Sequence, residues 1–251
     1  MRQQTRAARA AVVHCSCLSL ETLVASPAEL ARVFAERFSN VAHSVQANGR
    51  AVSLVLPGGS VAEAFFPVLA RATIDWTMVD VFWGDERSVP ADDPDSNYRV
   101  AEELLLRRVT IDRSRVHRMP ADAADLDAAG RSYESELRQV LGDPPQFDIA
   151  LLGVGPDGHV CSLFPGHAAL VESSRRVLAI TDSPKPPPRR LTLTLPALAG
   201  AEIHIAAFGA AKAGAIREAL GTPASSLPVA RAARRGRSAL FLLDNDLERL
   251  L

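Results

Sequence analysis

The apolar residues of this chain fall into short blocks at 51–56, 78–83, 149–152, 203–208 and 238–243, each with at most one polar residue, separated by stretches of helical period. Four to six apolar residues without polar alternation predict a strand buried on both faces. Between the blocks, Leu30, Val33, Phe34, Phe38 and Val41 recur at helical spacing behind Ser26-Pro27-Ala28-Glu29. There Ser26 is an N-cap, Pro27 takes the first helical position and Glu29 completes a capping box. Asn48-Gly49 ends that helix. Further helices are expected over 61–71, over 98–108 behind a cap at Ser96 or Asn97, over 126–141 and over 209–220. Residues 116–119 and 176–180 read as short strands, and 191–195 as a strand or a helix entry. Residues 90–97 form a loop, and 183–188, rich in proline, an extended stiff connection. Strand and helix therefore alternate along the chain. That order predicts one α/β domain over 1–251, a mostly parallel sheet with helices on both faces (three-layer α/β/α, Rossmann-like), with residues 1–25 left unassigned.

Composition narrows the function. At 47% hydrophobic, 251 residues supply a substantial core, and the net charge of −1 comes from interleaved acids and bases. Such a surface argues against nucleic acid as partner. No apolar run approaches the ~20 residues of a membrane span. Three cysteines, Cys15, Cys17 and Cys161, make no disulfide framework and fit a reducing cytoplasm. His14, Cys15 and Cys17 lack the second pair that structural zinc needs, so no metal is expected and the two cysteines read as buried strand residues. The arginine-rich start, 1–11, reads as a ragged terminus rather than a transit peptide. Lysine occurs only at Lys185 and Lys212, which draws attention to the placement of Lys212.

The chemistry gathers where strands end. After 51–56 comes Pro57-Gly58-Gly59-Ser60 and then a helix. Converging backbone N–H groups, the helix N-terminus and a hydroxyl suit a phosphate, though Ser60 could equally be a helix cap. After 78–83 comes Gly84-Asp85-Glu86-Arg87, facing the same crevice if the strands are parallel; its plain alternative is a solvated turn with a local ion pair. After 149–152 comes Gly153-Val154-Gly155-Pro156-Asp157-Gly158-His159. Its glycines match the spacing of a dinucleotide fingerprint, with Asp182 as the distant acid. Pro165-Gly166 arrives too soon for the helix that motif requires, and Pro156 removes an N–H, so the residues disfavour the nucleotide reading. His159 is instead left at the carboxyl end of a central strand, where open α/β sheets place ligands. Near neutral pKa it can take a proton from water and return it to a leaving oxygen. Asp157 either orients its ring or bonds only the turn backbone.

Five motifs in order make the chain similar to the 6-phosphogluconolactonase family, which shares its fold with glucosamine-6-phosphate deaminases. They are Leu56-Pro57-Gly58-Gly59-Ser60; Trp83-Gly84-Asp85-Glu86-Arg87-Ser88-Val89-Pro90 with Ser96-Asn97-Tyr98; Gly153 to His159 with Ser162-Leu163-Phe164-Pro165-Gly166; Lys185-Pro186-Pro187-Pro188-Arg189-Arg190-Leu191-Thr192-Leu193-Thr194; and Gly209-Ala210-Ala211-Lys212. The resemblance implies hydrolysis of 6-phospho-glucono-1,5-lactone to 6-phosphogluconate, in the oxidative pentose phosphate pathway, without a cofactor. Its partner is a phosphorylated sugar lactone, and the protein a monomer or weak homo-oligomer. It assigns His159 the base role. For the phosphate we expect Gly58, Gly59 and Ser60, with Arg87 and Lys212 as cations and Arg190 as a weaker third. Asp85 is expected to hold Arg87 or a sugar hydroxyl.

The chain departs from the family pattern twice. Val61-Ala62 stands where Thr-Pro is common, removing a hydroxyl, and Val160-Cys161-Ser162 where Thr-Ala-Ser is usual; Cys161 reads as packing. Two other readings use the same fold. Deaminases resemble Asp-Gly-His-Ile-Ala-Phe-Asn-Glu-Pro in the histidine loop and Asp-Glu-Tyr earlier; here Phe164 replaces the assisting glutamate and Arg87 the tyrosine. A phenylalanine shuttles no proton. A sugar-phosphate-sensing regulator would carry a helix-turn-helix module, for which the 25 residues before Ser26 are too short.

Overall fold

The computed structural model describes residues 9–15 and 18–251. Its first two strands, β1 (Arg9–Cys15) and β2 (Leu18–Ala25), form an antiparallel pair that the apolar pattern does not predict. Ser19, Glu21 and Thr22 interrupt the apolar run of β2, so it lacks the signature of the central strands. Cys15 is the last residue of β1, while Cys17 lies outside the described residues.

Helix α1 (Pro27–Gln46) begins as predicted, with Ser26 and Glu29 satisfying each other's backbone N–H groups. Then come β3 (Val52–Leu56), α2 (Gly59–Leu69) and β4 (Val79–Trp83). Helix α2 starts two residues earlier than expected. Gly58 is its N-cap, without a side-chain bond, and Ser60 therefore lies inside the first turn and is not the cap. Next are β5 (Asp85–Arg87), α3 (Asn97–Leu104), α4 (Leu126–Leu141) and β6 (Ile149–Gly153). Ser96 caps α3, and the expected helix over 98–108 breaks at Leu105 into a short 3-10 turn. Residues 116–119 contribute one parallel bridge, Val81 to Val116, and no strand. The chain continues through β7 (Val177–Ile180), β8 (Arg190–Leu193), β9 (Glu202–Ala207), α5 (Ala213–Gly221), α6 (Pro228–Arg235), β10 (Ser238–Asp244) and α7 (Asn245–Glu248).

Seven strands form the main sheet in the order β1-β2-β10-β9-β6-β3-β4, parallel throughout except for β1. Successive residues of a central strand feed opposite cores, as the pleat requires. Ile149 and Leu151 of β6 join Leu54 and Leu56 of β3 beneath Phe34, Phe38, Phe65 and Phe66 of α1 and α2. Ala150, Leu152 and Val55 point the other way, toward Tyr133 and Leu137 of α4 and Val229 and Ala232 of α6. The sheet is thus covered by helices on both faces, which is why its central strands read as mainly apolar blocks without polar alternation. Among the described residues no helix is long and apolar enough to cross a membrane.

The strands at 176–180 and 190–193 do not enter this sheet. They pair as an antiparallel hairpin around the proline-rich connection, and β5 completes a second sheet in the order β5-β8-β7. This corrects the reading of Asp85-Glu86-Arg87 as a solvated turn. Asp85 and Glu86 are buried, and the Glu86 carboxylate accepts from the N–H groups of Arg87, Asn97 and Tyr98 and from Ser96 Oγ, at 2.7, 2.9, 2.7 and 3.0 Å. Burial pushes its pKa up, against the pull of those four bonds.

From β3 the chain proceeds outward to the edge strand β4. From β6, on the other side of β3, it proceeds the opposite way to β9 and β10. The carboxyl ends of β3 and β6 therefore flank the point where the winding reverses, the place at which open α/β sheets form a crevice.

Candidate active site

That crevice exists and is built from loops leaving β3, β4, β6 and β9. Gly58, Gly59, Ser60, Asp85, Arg87, His159, Arg190 and Lys212 all line it. Asp157 stands behind His159.

The His159 loop is a tight turn closed by Gly158 N–H to Gly155 O and Gly155 N–H to His159 O, both at 2.9 Å. Gly158 has φ +82°, a conformation that glycine adopts without strain. Asp157 Oδ1 lies 2.5 Å from His159 Nδ1 and also accepts the His159 backbone N–H at 3.4 Å. It does both things the sequence left open. With Nδ1–H held by a carboxylate, Nε2 is the basic nitrogen, and no protein group bonds it among the described residues. The ring packs against buried Phe164 at 4.8 Å between centroids. Burial lowers the His159 pKa below its ordinary 6.5, outweighing the attraction of Asp157. The imidazole is consequently neutral, and able to accept a proton, at neutral pH. For Asp157, burial works upward, but the bond to His159 and the charge of Lys185 hold the carboxyl below the ordinary range.

The opposite wall is the Gly58-Gly59-Ser60 turn. Gly59 has φ +63°. A side chain at Gly58 would run into that of Asn97, so the glycine permits a close approach between the loop and the start of α3. Val61, at the departure from the family pattern, is buried and supplies apolar wall.

The charged side chains differ in what remains free. Arg87 gives one guanidinium N–H to Asp95 O at 2.6 Å, while its buried Nε has no partner. Lys212 forms no ion pair among the described residues, and burial lowers its pKa. Arg190, by contrast, is only 4% exposed and its fork is engaged. Nε bonds Pro187 O at 3.0 Å, Nη2 bonds Lys185 O and Pro186 O at 3.1 and 2.9 Å, and Nη1 lies 3.4 Å from Ser162 Oγ and 3.6 Å from Asp85 Oδ2. Its five donors thus face protein acceptors. Asp85 faces Arg190 and takes a 2.6 Å bond from Ser162 Oγ; it does not hold Arg87.

Three residues matter that sequence reasoning placed only inside motifs. Asn97 bonds Asp85 O at 2.9 Å. Ser162 bridges toward Asp85, and Lys185 Nζ lies 3.7 Å from Asp157 Oδ1. Lysine scarcity, which drew attention to Lys212, was equally a signal for Lys185 and was not applied to it. Cys161 packs against Gly84, with its thiol pKa pushed up by burial, as expected of a packing residue. Asp182, the acid a dinucleotide fingerprint would need, pairs with His167 at 3.0 Å on the surface.

A family profile described as glucosamine-6-phosphate isomerases/6-phosphogluconolactonase matches residues 25–241. A 6-phosphogluconolactonase of Mycobacterium tuberculosis is 45% identical over 214 residues, 81% of this chain and 86% of that protein. One from Streptomyces coelicolor is 40% identical over 231 residues, covering 86% and 88%. Among solved structures, the 6-phosphogluconolactonase of Thermotoga maritima superposes with a TM-score of 0.79 at 26% identity, over 89% of this chain and 99% of that one. A monomeric glucosamine-6-phosphate deaminase, 23% identical with a TM-score of 0.76, shares the fold over 92% and 99%. The chain belongs to the glucosamine-6-phosphate isomerase/6-phosphogluconolactonase family.

Proposed function

We propose that this protein hydrolyses 6-phospho-D-glucono-1,5-lactone to 6-phosphogluconate in the cytoplasm, as a step of the oxidative pentose phosphate pathway, without a cofactor. The observation that carries the reading is the Asp157–His159 pair, with His159 lining the same cleft as the glycine loop and Nδ1 taken up by the carboxylate. The relatives' names point the same way.

In this mechanism neutral His159 takes a proton from water at Nε2 as the oxygen attacks the lactone carbonyl carbon. The tetrahedral adduct then breaks its bond to the ring oxygen, which leaves with the proton that Nε2 carried. Asp157 fixes the ring and its tautomer and steadies the transient imidazolium. The phosphate sits against Gly58, Gly59 and Ser60, where the start of α2 presents backbone N–H groups. Arg87 and Lys212, with donors still free, supply its charge neutralisation. Arg190 shapes the wall rather than holding the phosphate, because its donors are already engaged.

Phe164 bears on the choice against a deaminase. It packs on the imidazole where a proton-shuttling carboxylate would have to stand. Purified protein is given freshly made 6-phosphogluconolactone, with product coupled to 6-phosphogluconate dehydrogenase, and glucosamine 6-phosphate in parallel with an ammonia readout. Lactone hydrolysis well above the spontaneous rate, without ammonia, is expected. Ammonia release, or no acceleration of lactone hydrolysis, would refute the proposal.

A further inference from the structure

We infer that Lys185 is a positioning residue, delivered against Asp157 by a connection that Arg190 clamps, and that it sets the pH range over which His159 works as a base. This rests on the lactonase reading above.

The connection between β7 and β8 leaves the hairpin and returns to it, passing beside the His159 loop. Its backbone is held at many points. Ser183 N–H bonds Pro188 O at 3.1 Å, and Ser183 Oγ both donates to Lys185 O at 2.9 Å and accepts Lys185 N–H at 3.2 Å. From inside the cleft wall, Arg190 donates to the carbonyls of Lys185, Pro186 and Pro187. A buried arginine that caps three consecutive carbonyls of one loop fixes where that loop presents its side chains. Here it presents Lys185, whose Nζ is 3.7 Å from Asp157 Oδ1, the oxygen that also bonds His159 Nδ1.

One carboxylate oxygen therefore serves both the imidazole N–H and an ammonium group. An unopposed Asp157 would favour the imidazolium; Lys185 offsets part of that negative charge. The charged groups facing the imidazole are few. Among the described residues they are Asp157 from its own loop, Lys185 from the connection and Asp85 from β5, with Arg190 beyond Phe164 and Arg87 and Lys212 elsewhere in the cleft. Of these, Lys185 works against protonation of His159 and both aspartates work for it. The sign follows. Removing the Lys185 charge raises the pKa of His159, so a larger share of enzyme is protonated and inactive in mild acid.

The test uses Lys185→Met and Lys185→Arg in the full chain. The pKa of His159 is read by NMR of the 15N-labelled imidazole, without substrate, and the acid limb of kcat/KM is recorded beside it. We expect Lys185→Met to raise the midpoint in both. The ratio of kcat/KM at about pH 5.5 to that at about pH 8 falls about threefold. Lys185→Arg, which keeps the charge, restores the wild-type midpoint. An unmoved midpoint in Lys185→Met overturns the inference, whether or not KM rises; a rise in KM alone would make Lys185 a substrate contact. A shift that Lys185→Arg fails to restore overturns it too. The NMR titration separates this inference from the function it rests on, since it reads the coupling even in a protein that hydrolyses no lactone.

Discussion

Gly155 illustrates how little room the reacting group has. A β-carbon built there would overlap His159 Cε1 and Nδ1 and crowd Asp157 Oδ1. The glycine is required by close approach, and not by a positive φ. Gly155→Ala must push the imidazole away from its carboxylate, and a displacement near 1 Å costs about 100-fold in rate. We expect kcat to fall by about that factor while circular dichroism and melting stay close to wild type. The same scale explains Arg190. The motif around it invites a phosphate role, since arginine is the usual bidentate anion ligand. Its carbonyl partners at 185–187 are invisible until the loop is folded over it.

At the scale of elements, α3 hangs on a carboxylate from another strand. Glu86 in β5 accepts the first N–H groups of the helix, which would otherwise be orphaned. Its burial raises its pKa, so the charged form is held at some cost. Removing it relieves that cost but leaves several buried donors without an acceptor, and the second effect dominates. Glu86→Ala should therefore lower stability by about 2–3 kcal/mol in urea denaturation. Elements that follow from local pattern were legible in the sequence. The Ser26–Glu29 capping box spans four residues, and β3, β4, β6, β9 and β10 announce themselves because both faces are buried. Elements defined by distant partners were not. β5 reads as a charged turn until β8 pairs with it, Arg87 to Arg190, across more than a hundred residues. β2, with polar residues interrupting its run, needed β10 beside it to be seen as a strand.

For the whole molecule, the reversal of winding between β3 and β6 explains why residues so far apart in sequence meet. Parallel strands deliver all their carboxyl-end loops to one side, so Gly58, Asp85, His159 and Lys212 share one cleft without any being part of the core. The candidate site was legible because its members sit at strand ends in recognisable turns. Its supports, Asn97, Ser162 and Lys185, were not, because their partners lie 12, 77 and 28 residues away. The same placement makes a clean test available. The His159 side chain stands at the end of the sheet rather than within either core, so His159→Ala should fold and melt like wild type. Its turnover of 6-phosphogluconolactone, corrected for spontaneous hydrolysis, is the most direct measurement of whether catalysis runs through this imidazole. We predict a loss of about 100-fold or more in kcat. Wild-type turnover in the folded variant would contradict the account.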